Sequence, residues 1–425
     1  MKASALSELG RRTAAPPISW LMAMALSRPR LVSLAAGFTD NESLPVQDAR
    51  ELLEGLLSSR DAGPAALQYG TTAGDPTLRQ LTALRVRSLD APTRSSEAYS
   101  PERMLITNGS QQMLYMLTEG LCDPGDLVLV EDPTYFVYLG ILQSHGVRAK
   151  GIRLEQDGLD VGHLEQVLSE LKQGGELPRL KLLYLVSYYQ NPTSATTRFQ
   201  KKAKALELLA KYERAAGHPL YLLEDTAYRE LRFSGEAVPS ALTVKGHAER
   251  VIYAGTYSKP FATGVRVGFG LLPEPIFTAA MRIKGNHDFG SSNLLAQLLS
   301  RALSSGRYQK HLAQLQQRYA QKAEVMRQGL EEYFPAEAQR WQPQGGLYFW
   351  VRLPDDVATG AKSKVFRNAL ANDVVYVPGE LCYADDPARP KPNHEMRLSF
   401  GAASEENIRV GIQRLGRVLQ QLMKG

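Results

Sequence analysis

Lys259 stands in Gly255-Thr256-Tyr257-Ser258-Lys259-Pro260, at the end of the apolar run Val251-Ile252-Tyr253-Ala254. Arg266 follows seven positions later, in Thr263-Gly264-Val265-Arg266-Val267-Gly268. A lysine so placed can hold an aldehyde as a Schiff base, while the hydroxyls of Thr256 and Ser258 and a planar guanidinium fix a phosphate nearby. Taken alone, Ser-x-Lys after a strand is an ordinary solvated lysine, so its meaning depends on what else the chain supplies.

Further segments place chemistry at the ends of apolar runs. Thr107-Asn108-Gly109-Ser110-Gln111-Gln112 closes one run and opens a helix carrying Met113, Leu114, Leu117 and Leu121. Glycine and serine at a helix start leave backbone N–H groups pointing outward, which suits a phosphate, or they simply cap the helix. In Glu131-Asp132-Pro133-Thr134-Tyr135 the tyrosine can lie over a flat ring or can serve the turn. Asn191, in Ser187-Tyr188-Tyr189-Gln190-Asn191-Pro192-Thr193, precedes a proline and is held extended, from where its amide can donate to a phenolic oxygen. Asp225, in Leu222-Leu223-Glu224-Asp225-Thr226-Ala227-Tyr228, can pair with a pyridinium nitrogen and keep the ring an electron sink, or it can cap a helix. Tyr228, three residues on, can return to the same phenolic oxygen.

The elements that must position these residues alternate apolar runs with amphipathic stretches, the pattern of an α/β fold with a mainly parallel sheet. Strands are expected over residues 104–107, 127–131, 180–188, 220–224, 251–254 and 268–272. Several are Val/Leu/Tyr runs without alternation, as in strands covered on both faces. In such sheets ligands bind beyond the carboxyl ends of the strands, where the residues above fall. A helical stretch from 294 to about 333, broken near Ser304-Ser305-Gly306, leads to strand-like segments at 346–352, 374–377 and 396–400 and a closing helix from 405 to 423. The expected architecture is a large domain over 46–310, with a mainly parallel sheet of the seven-stranded type flanked by helices. Residues 1–45 and 311–425 together are expected to form a smaller α+β domain.

A chain of 425 residues can bury a large core, and 44% hydrophobic with 22% charged residues is ordinary for a soluble protein. The formal charge of +6 is scattered, and Lys201-Lys202-Ala203-Lys204 reads as a solvated helix face rather than a nucleic-acid patch. Cys122 and Cys382, the only cysteines, have no histidine or cysteine neighbours at metal-ligand spacing. They exclude a disulfide scaffold and fit a reducing cytoplasm. No apolar stretch reaches the roughly 20 residues of a membrane span. Arg11-Arg12 ahead of the apolar residues 18–26 imitate a signal peptide, but Pro16-Pro17 and the following Arg28 and Arg30 favour a helix packed on the protein body.

In combination and in this order, these motifs resemble the class I, fold-type I aminotransferases that use pyridoxal 5'-phosphate, in the branch of 2-aminoadipate, kynurenine and bacterial aromatic aminotransferases. The resemblance runs from about Leu31 to the C-terminal helix. It implies that Lys259 carries the cofactor as a Schiff base, that Asp225 holds the ring nitrogen, that Asn191 and Tyr228 bind the phenolic oxygen and that Tyr135 stacks on the ring. Ser110, Gln111, Thr256, Ser258 and Arg266 would bind the phosphate. Tyr69, in Leu67-Gln68-Tyr69-Gly70, matches a tyrosine extended into the neighbouring subunit's phosphate site, which implies a homodimer with shared active sites. Arg397, in Met396-Arg397-Leu398, matches the arginine for the substrate α-carboxylate, a group its planar fork can bind bidentately. Gly37, in Ala35-Ala36-Gly37-Phe38, matches the glycine whose backbone approaches the substrate beside Asn191. Two departures are Ala36 where the family usually has a second glycine, and threonine rather than serine at Thr256.

The activity so implied moves an amino group between an amino acid and a 2-oxo acid in two half-reactions, with ping-pong kinetics. Relatives acting on acidic side chains carry an extra arginine, from the loop before the long helix or from the N-terminal helix. The loop at 285–292 has none, and the helix position carries Trp20, as a pocket wall or as core packing. With Tyr69 and Phe38, this favours an aromatic or bulky amino donor and 2-oxoglutarate as acceptor, with Arg28 or Arg30 available for the second carboxylate. The alternatives are a 2-aminoadipate or broad-specificity enzyme (valine- and alanine-type donors included), a β-lyase or decarboxylase on the same scaffold, and the effector domain of a transcription regulator. About thirty residues precede the first family motif, so a DNA-binding module is not expected. The expectation is a cytoplasmic enzyme without metal, membrane or nucleic-acid partners.

Overall fold

The computed structural model describes residues 5–91, 97–387 and 389–423, with backbone alone for Ile18, Met22, Ala25 and Leu26. Its large sheet has eight strands, in the order Met104–Thr107, Gly268–Leu271, Val251–Thr256, Tyr221–Asp225, Leu180–Val186, Leu127–Asp132, Arg148–Glu155 and Gly158–Leu159. From Val251–Thr256 to Arg148–Glu155 neighbouring strands are parallel. Gly268–Leu271 and Gly158–Leu159 run against their neighbours. The central strands lack alternation because helices cover both faces: Tyr221–Asp225 is buried along its whole length.

The sheet exceeds the seven-stranded expectation at its margin. Arg148–Glu155 reads Arg-Ala-Lys-Gly-Ile-Arg-Leu-Glu and buries only Ile152, so it carries no apolar run to announce it. The strand expected over 180–188 stops at Val186, where the chain leaves the sheet and Tyr189 adopts a φ of 44°. The break in the long helical stretch falls where expected. Asn293–Ser304 and Arg307–Tyr333 meet at Gly306, whose φ of 76° is a left-handed conformation that a Cβ disfavours.

A second, antiparallel sheet orders Gln339–Arg340, Tyr348–Arg352, Glu395–Ser399 and Val377–Pro378. The single strand expected over 374–377 is divided. Val374–Val375 pairs in parallel with Val32–Ser33 of the N-terminal segment, whereas Val377–Pro378 joins Glu395–Ser399. Buried Lys322 of the long helix donates to Asp40 Oδ1 and to the Gly401 carbonyl, each at 2.8 Å, and so anchors the segment just after Gly37. Among the described residues no helix is long and apolar enough to cross a membrane.

Candidate active site

Parallel strands that end on one side of a sheet bring their following loops together. Asp225 and Thr256 end adjacent strands in which Asp225 lies in register with Ala254. Lys259 follows three residues after Thr256. Asn191 comes off Leu180–Val186 and Tyr135 off Leu127–Asp132, while Ser110 and Gln111 open the helix Gly109–Leu121. Arg397 and Tyr348 arrive from the small sheet and Gly37 from the N-terminal segment. These residues, with Tyr228, Ser258 and Arg266, line one cavity of about 360 Å³.

Its electrostatics are unbalanced. Lys259, Arg266 and Arg397 face a single carboxylate, Asp225. Burial, then the positive fields of Arg397 and Arg266, push the Lys259 amine down to about 8, against the pull of Asp225. Burial pushes the Asp225 carboxyl up to about 6, opposed by hydrogen bonds from the Tyr184 hydroxyl (2.9 Å) and the Ala227 N–H (3.1 Å). Both groups therefore titrate within reach of neutrality. Lys259 Nζ donates to the Gly37 carbonyl at 2.7 Å.

Arg397 is 1% exposed, donates Nη1 to Asn191 Oδ1 and Nη2 to the Ala35 carbonyl, both at 2.7 Å, and leaves its buried Nε without a partner. A buried guanidinium with an unmet donor and, among the described residues, no carboxylate partner is suited to an anion from outside the chain. Arg266 reaches Ser258 Oγ at 3.3 Å, and the Ser258 N–H donates to Thr256 Oγ1 at 3.0 Å, so the three form one polar wall. Asn191 Nδ2 lies 3.4 Å from Tyr228 Oη. The cavity thus offers two separate sets of donors for anions, on Arg397 and on Arg266 with Ser258 and Thr256, together with an amine and a carboxylate.

Two candidates lie elsewhere. Trp20 does not line the cavity; it stacks on Phe366 with ring centroids 5.7 Å apart, so its place as a pocket wall is corrected to helix–helix packing. Pro16 and Ser19, just before it, face the cavity instead. Tyr69 is 82% exposed, meets Phe289 edge-on at 5.5 Å and stays outside the cavity of its own chain. Neither Arg28 nor Arg30 lines the cavity, and Arg28 donates to the Leu370 carbonyl.

Sequence reasoning missed Tyr348, Phe136 and Val137, which also line the cavity. Tyr348 lies in an apolar run, Leu347-Tyr348-Phe349-Trp350-Val351, whose composition marks burial and nothing more. Buried Glu131 was also missed: it accepts from the Val186 N–H at 2.9 Å and Gln190 Nε2 at 3.0 Å, tying the Tyr135 loop to the Asn191 loop. Among the described residues no cluster of histidine, cysteine and carboxylate side chains could hold a metal.

The family described as aminotransferase class I and II matches residues 29–415. Aromatic-amino-acid aminotransferase 1 of Thermococcus litoralis is 32% identical over 395 residues, covering 93% of this chain and 89% of that protein. The 2-aminoadipate transaminase of Thermus thermophilus is 31% identical over 398 residues, covering 93% and 92%. Among solved structures, kynurenine aminotransferase of Pyrococcus horikoshii in complex with PMP is similar, with a TM-score of 0.88 and 29% identity over 99% of this chain and 98% of that one.

Proposed function

The chain belongs to the class I and II aminotransferases, and from that premise we propose that it moves the amino group of an aromatic or bulky L-amino acid to 2-oxoglutarate by a ping-pong mechanism. Its cofactor is pyridoxal 5'-phosphate. The cavity fits that group: Arg266 with Ser258 and Thr256 suits a phosphate, Asp225 suits a ring nitrogen, and the Asn191 and Tyr228 pair suits a phenolic oxygen.

When bound, the cofactor supplies an aldehyde for the amino group and a ring that takes up the electrons left at the substrate's α-carbon. The chain's own residues then divide the work. Lys259 Nζ, an amine whose pKa is lowered to about 8, would hold the aldehyde end and serve as base for the α-proton. Asp225 would keep a proton on the ring nitrogen, and Tyr135 would cover the ring. Asn191 Nδ2 and Tyr228 Oη would donate to the phenolic oxygen. Ser110, Gln111, Thr256, Ser258 and Arg266 would hold the phosphate, Arg397 the α-carboxylate, and Gly37 would approach the substrate with its backbone. The observation that carries this reading is the charge of the cavity: three cations and one carboxylate call for a phosphate and a carboxylate ligand together.

The choice of an aromatic donor rests on the remaining wall. Phe38, Phe136, Val137 and Pro16 line it, and among the described residues that line the cavity only Lys259, Arg266 and Arg397 are cationic. An unpaired side-chain carboxylate buried there costs several kcal/mol, whereas an aromatic ring gains from the same surface. A donor panel at fixed 2-oxoglutarate tests this: tyrosine or phenylalanine should exceed aspartate and 2-aminoadipate in kcat/KM. If 2-aminoadipate leads, the specificity is that of the Thermus relative and the aromatic assignment fails. Omitting the 2-oxo acid should stop turnover, which separates transamination from elimination or decarboxylation.

The assembly we propose is a homodimer in which Tyr69 completes the partner's phosphate site. Leu67, Tyr69 and Phe289 support it: they are 68%, 82% and 56% exposed, and Tyr69 and Phe289 form an aromatic pair on the outside of the chain. Cys122 and Cys382, both buried and unpaired, support a reducing, cytoplasmic setting.

A further inference from the structure

We infer that Tyr348 is a positioning residue whose hydroxyl, donated to Tyr228, fixes the direction in which Tyr228 offers its own proton to the cavity. This rests on the assignment of Tyr228 and Asn191 to the cofactor's phenolic oxygen. Tyr348 comes from the small sheet, is 1% exposed and lines the same cavity. Its Oη lies 3.0 Å from Tyr228 Oη, and the two rings meet edge-on at 5.6 Å.

The direction of each bond follows from a closed ring of four residues. Arginine only donates, so the bond from Arg397 Nη1 to Asn191 Oδ1 sets the amide and leaves Nδ2 as the end that faces Tyr228. A tyrosine oxygen accepts two hydrogen bonds and donates one. Asn191 Nδ2 supplies one donor and Tyr348 Oη the other, so the proton of Tyr228 is left for the open cavity. Either hydroxyl could donate across this contact in the empty cavity; once Tyr228 gives its own proton to the phenolic oxygen, as assigned above, Tyr348 Oη is the donor left for Tyr228 Oη, its sole hydrogen-bond partner among the described residues. An oxygen that accepts hydrogen bonds also donates its own proton more strongly.

The ring is held from both sides. The Arg397 guanidinium lies over the Tyr348 ring at 4.3 Å, closing the circuit from the α-carboxylate site back to Tyr228. On the other side, a Cβ at Gly37 would sit 2.8 Å from the Tyr348 hydroxyl. A side chain at position 37 therefore presses on the hydroxyl and shifts it from its place beside Tyr228 Oη.

The test is a pH titration of the visible absorption of the cofactor-loaded enzyme without substrate, comparing wild type with Tyr348→Phe. Donors on the phenolic oxygen favour the less protonated chromophore, so weakening one raises the apparent pKa. The expected shift is upward by roughly half a unit to one unit, the worth of one hydrogen bond. Phenylalanine keeps the ring beneath Arg397, and the other groups around the oxygen (Arg397, Lys259, Arg266, Asp225, Tyr135 and Tyr319) stay in place. An unmoved or lowered midpoint overturns the proposal. If Tyr348→Phe releases the cofactor, Gly37→Ala decides by the same titration, an upward shift supporting the proposal and no shift overturning it. Tyr228→Phe separates the two levels: if it moves the midpoint and Tyr348→Phe does not, the Tyr348 inference alone fails. If Tyr228→Phe moves nothing, the assignment of Tyr228 to the phenolic oxygen fails with it.

Discussion

Tyr184 Oη donates to Asp225 Oδ2 at 2.9 Å, from the middle of one sheet strand to the end of its neighbour. Tyr184 is itself fully buried and packs on Tyr138 with ring centroids 4.1 Å apart, so the donor is aimed before any ligand arrives. Among the causes acting on Asp225, this bond leads those that oppose burial and hold the carboxyl near 6 rather than higher.

Tyr184→Phe should therefore raise the Asp225 pKa further and weaken cofactor retention. A hydrogen bond to a charged group is worth about 1.5–3 kcal/mol, so the loss should be roughly tenfold or more near neutral pH. It should shrink in mildly alkaline solution, where Asp225 is ionised regardless. Equilibrium dialysis of the cofactor at the two pH values checks both; equal losses at both would show that Tyr184 acts through packing.

Asp225→Asn should stabilise the apoprotein while disabling the enzyme. The folded-state pKa of about 6 lies above the ordinary 3.8, so folding favours the protonated carboxyl. The penalty is absent below about 4, grows between about 4 and 6 and is complete above about 6, where it is on the order of 3 kcal/mol. Urea unfolding of the two apoproteins should show the variant ahead in neutral solution and level with wild type in acid. Turnover should fall at least about a hundredfold, since the amide cannot keep the ring nitrogen protonated.

Covalent capture of pyridoxal 5'-phosphate by the apoprotein needs the neutral Lys259 amine, whose pKa is lowered to about 8. The capture rate should rise with pH through a midpoint near 8, well below that of an ordinary lysine, and level off above it. Lys259→Ala should show no such absorption change and almost no turnover. Stopped-flow absorbance follows both, and normal turnover in the variant would end the proposed mechanism.

If Tyr69 reaches the partner's phosphate site as proposed, Tyr69→Phe should loosen the cofactor by about tenfold to a hundredfold while leaving the assembly intact, since it removes one hydrogen bond and keeps the ring. Dialysis with light scattering reads both quantities. A fully active monomer would rule out the shared site.

How far the chain could be read from its residues varied from one element to the next. That Lys259, Asp225 and Asn191 share one cavity was legible because each comes shortly after an apolar run, and parallel strands must deliver such ends to one side of a sheet; Arg266 comes with the loop that follows Lys259. Arg148–Glu155 was not, because at a solvated margin it had no need of an apolar run. Trp20 was read from sequence position as a pocket wall or as core packing; helix rotation is set by what packs on the helix, and its ring stacks on Phe366 while staying 42% exposed. The motifs sufficed for the chemical order of the strand ends and, through their resemblance to the aminotransferases, for the family and the cofactor, since a motif is a matter of neighbours in the chain. The tertiary structure alone decided that Arg397, Asn191, Tyr228 and Tyr348 close into one ring and that Tyr184 faces Asp225. Those contacts join residues tens to hundreds of positions apart, and their hydrogen-bond directions exist only once both partners are buried together.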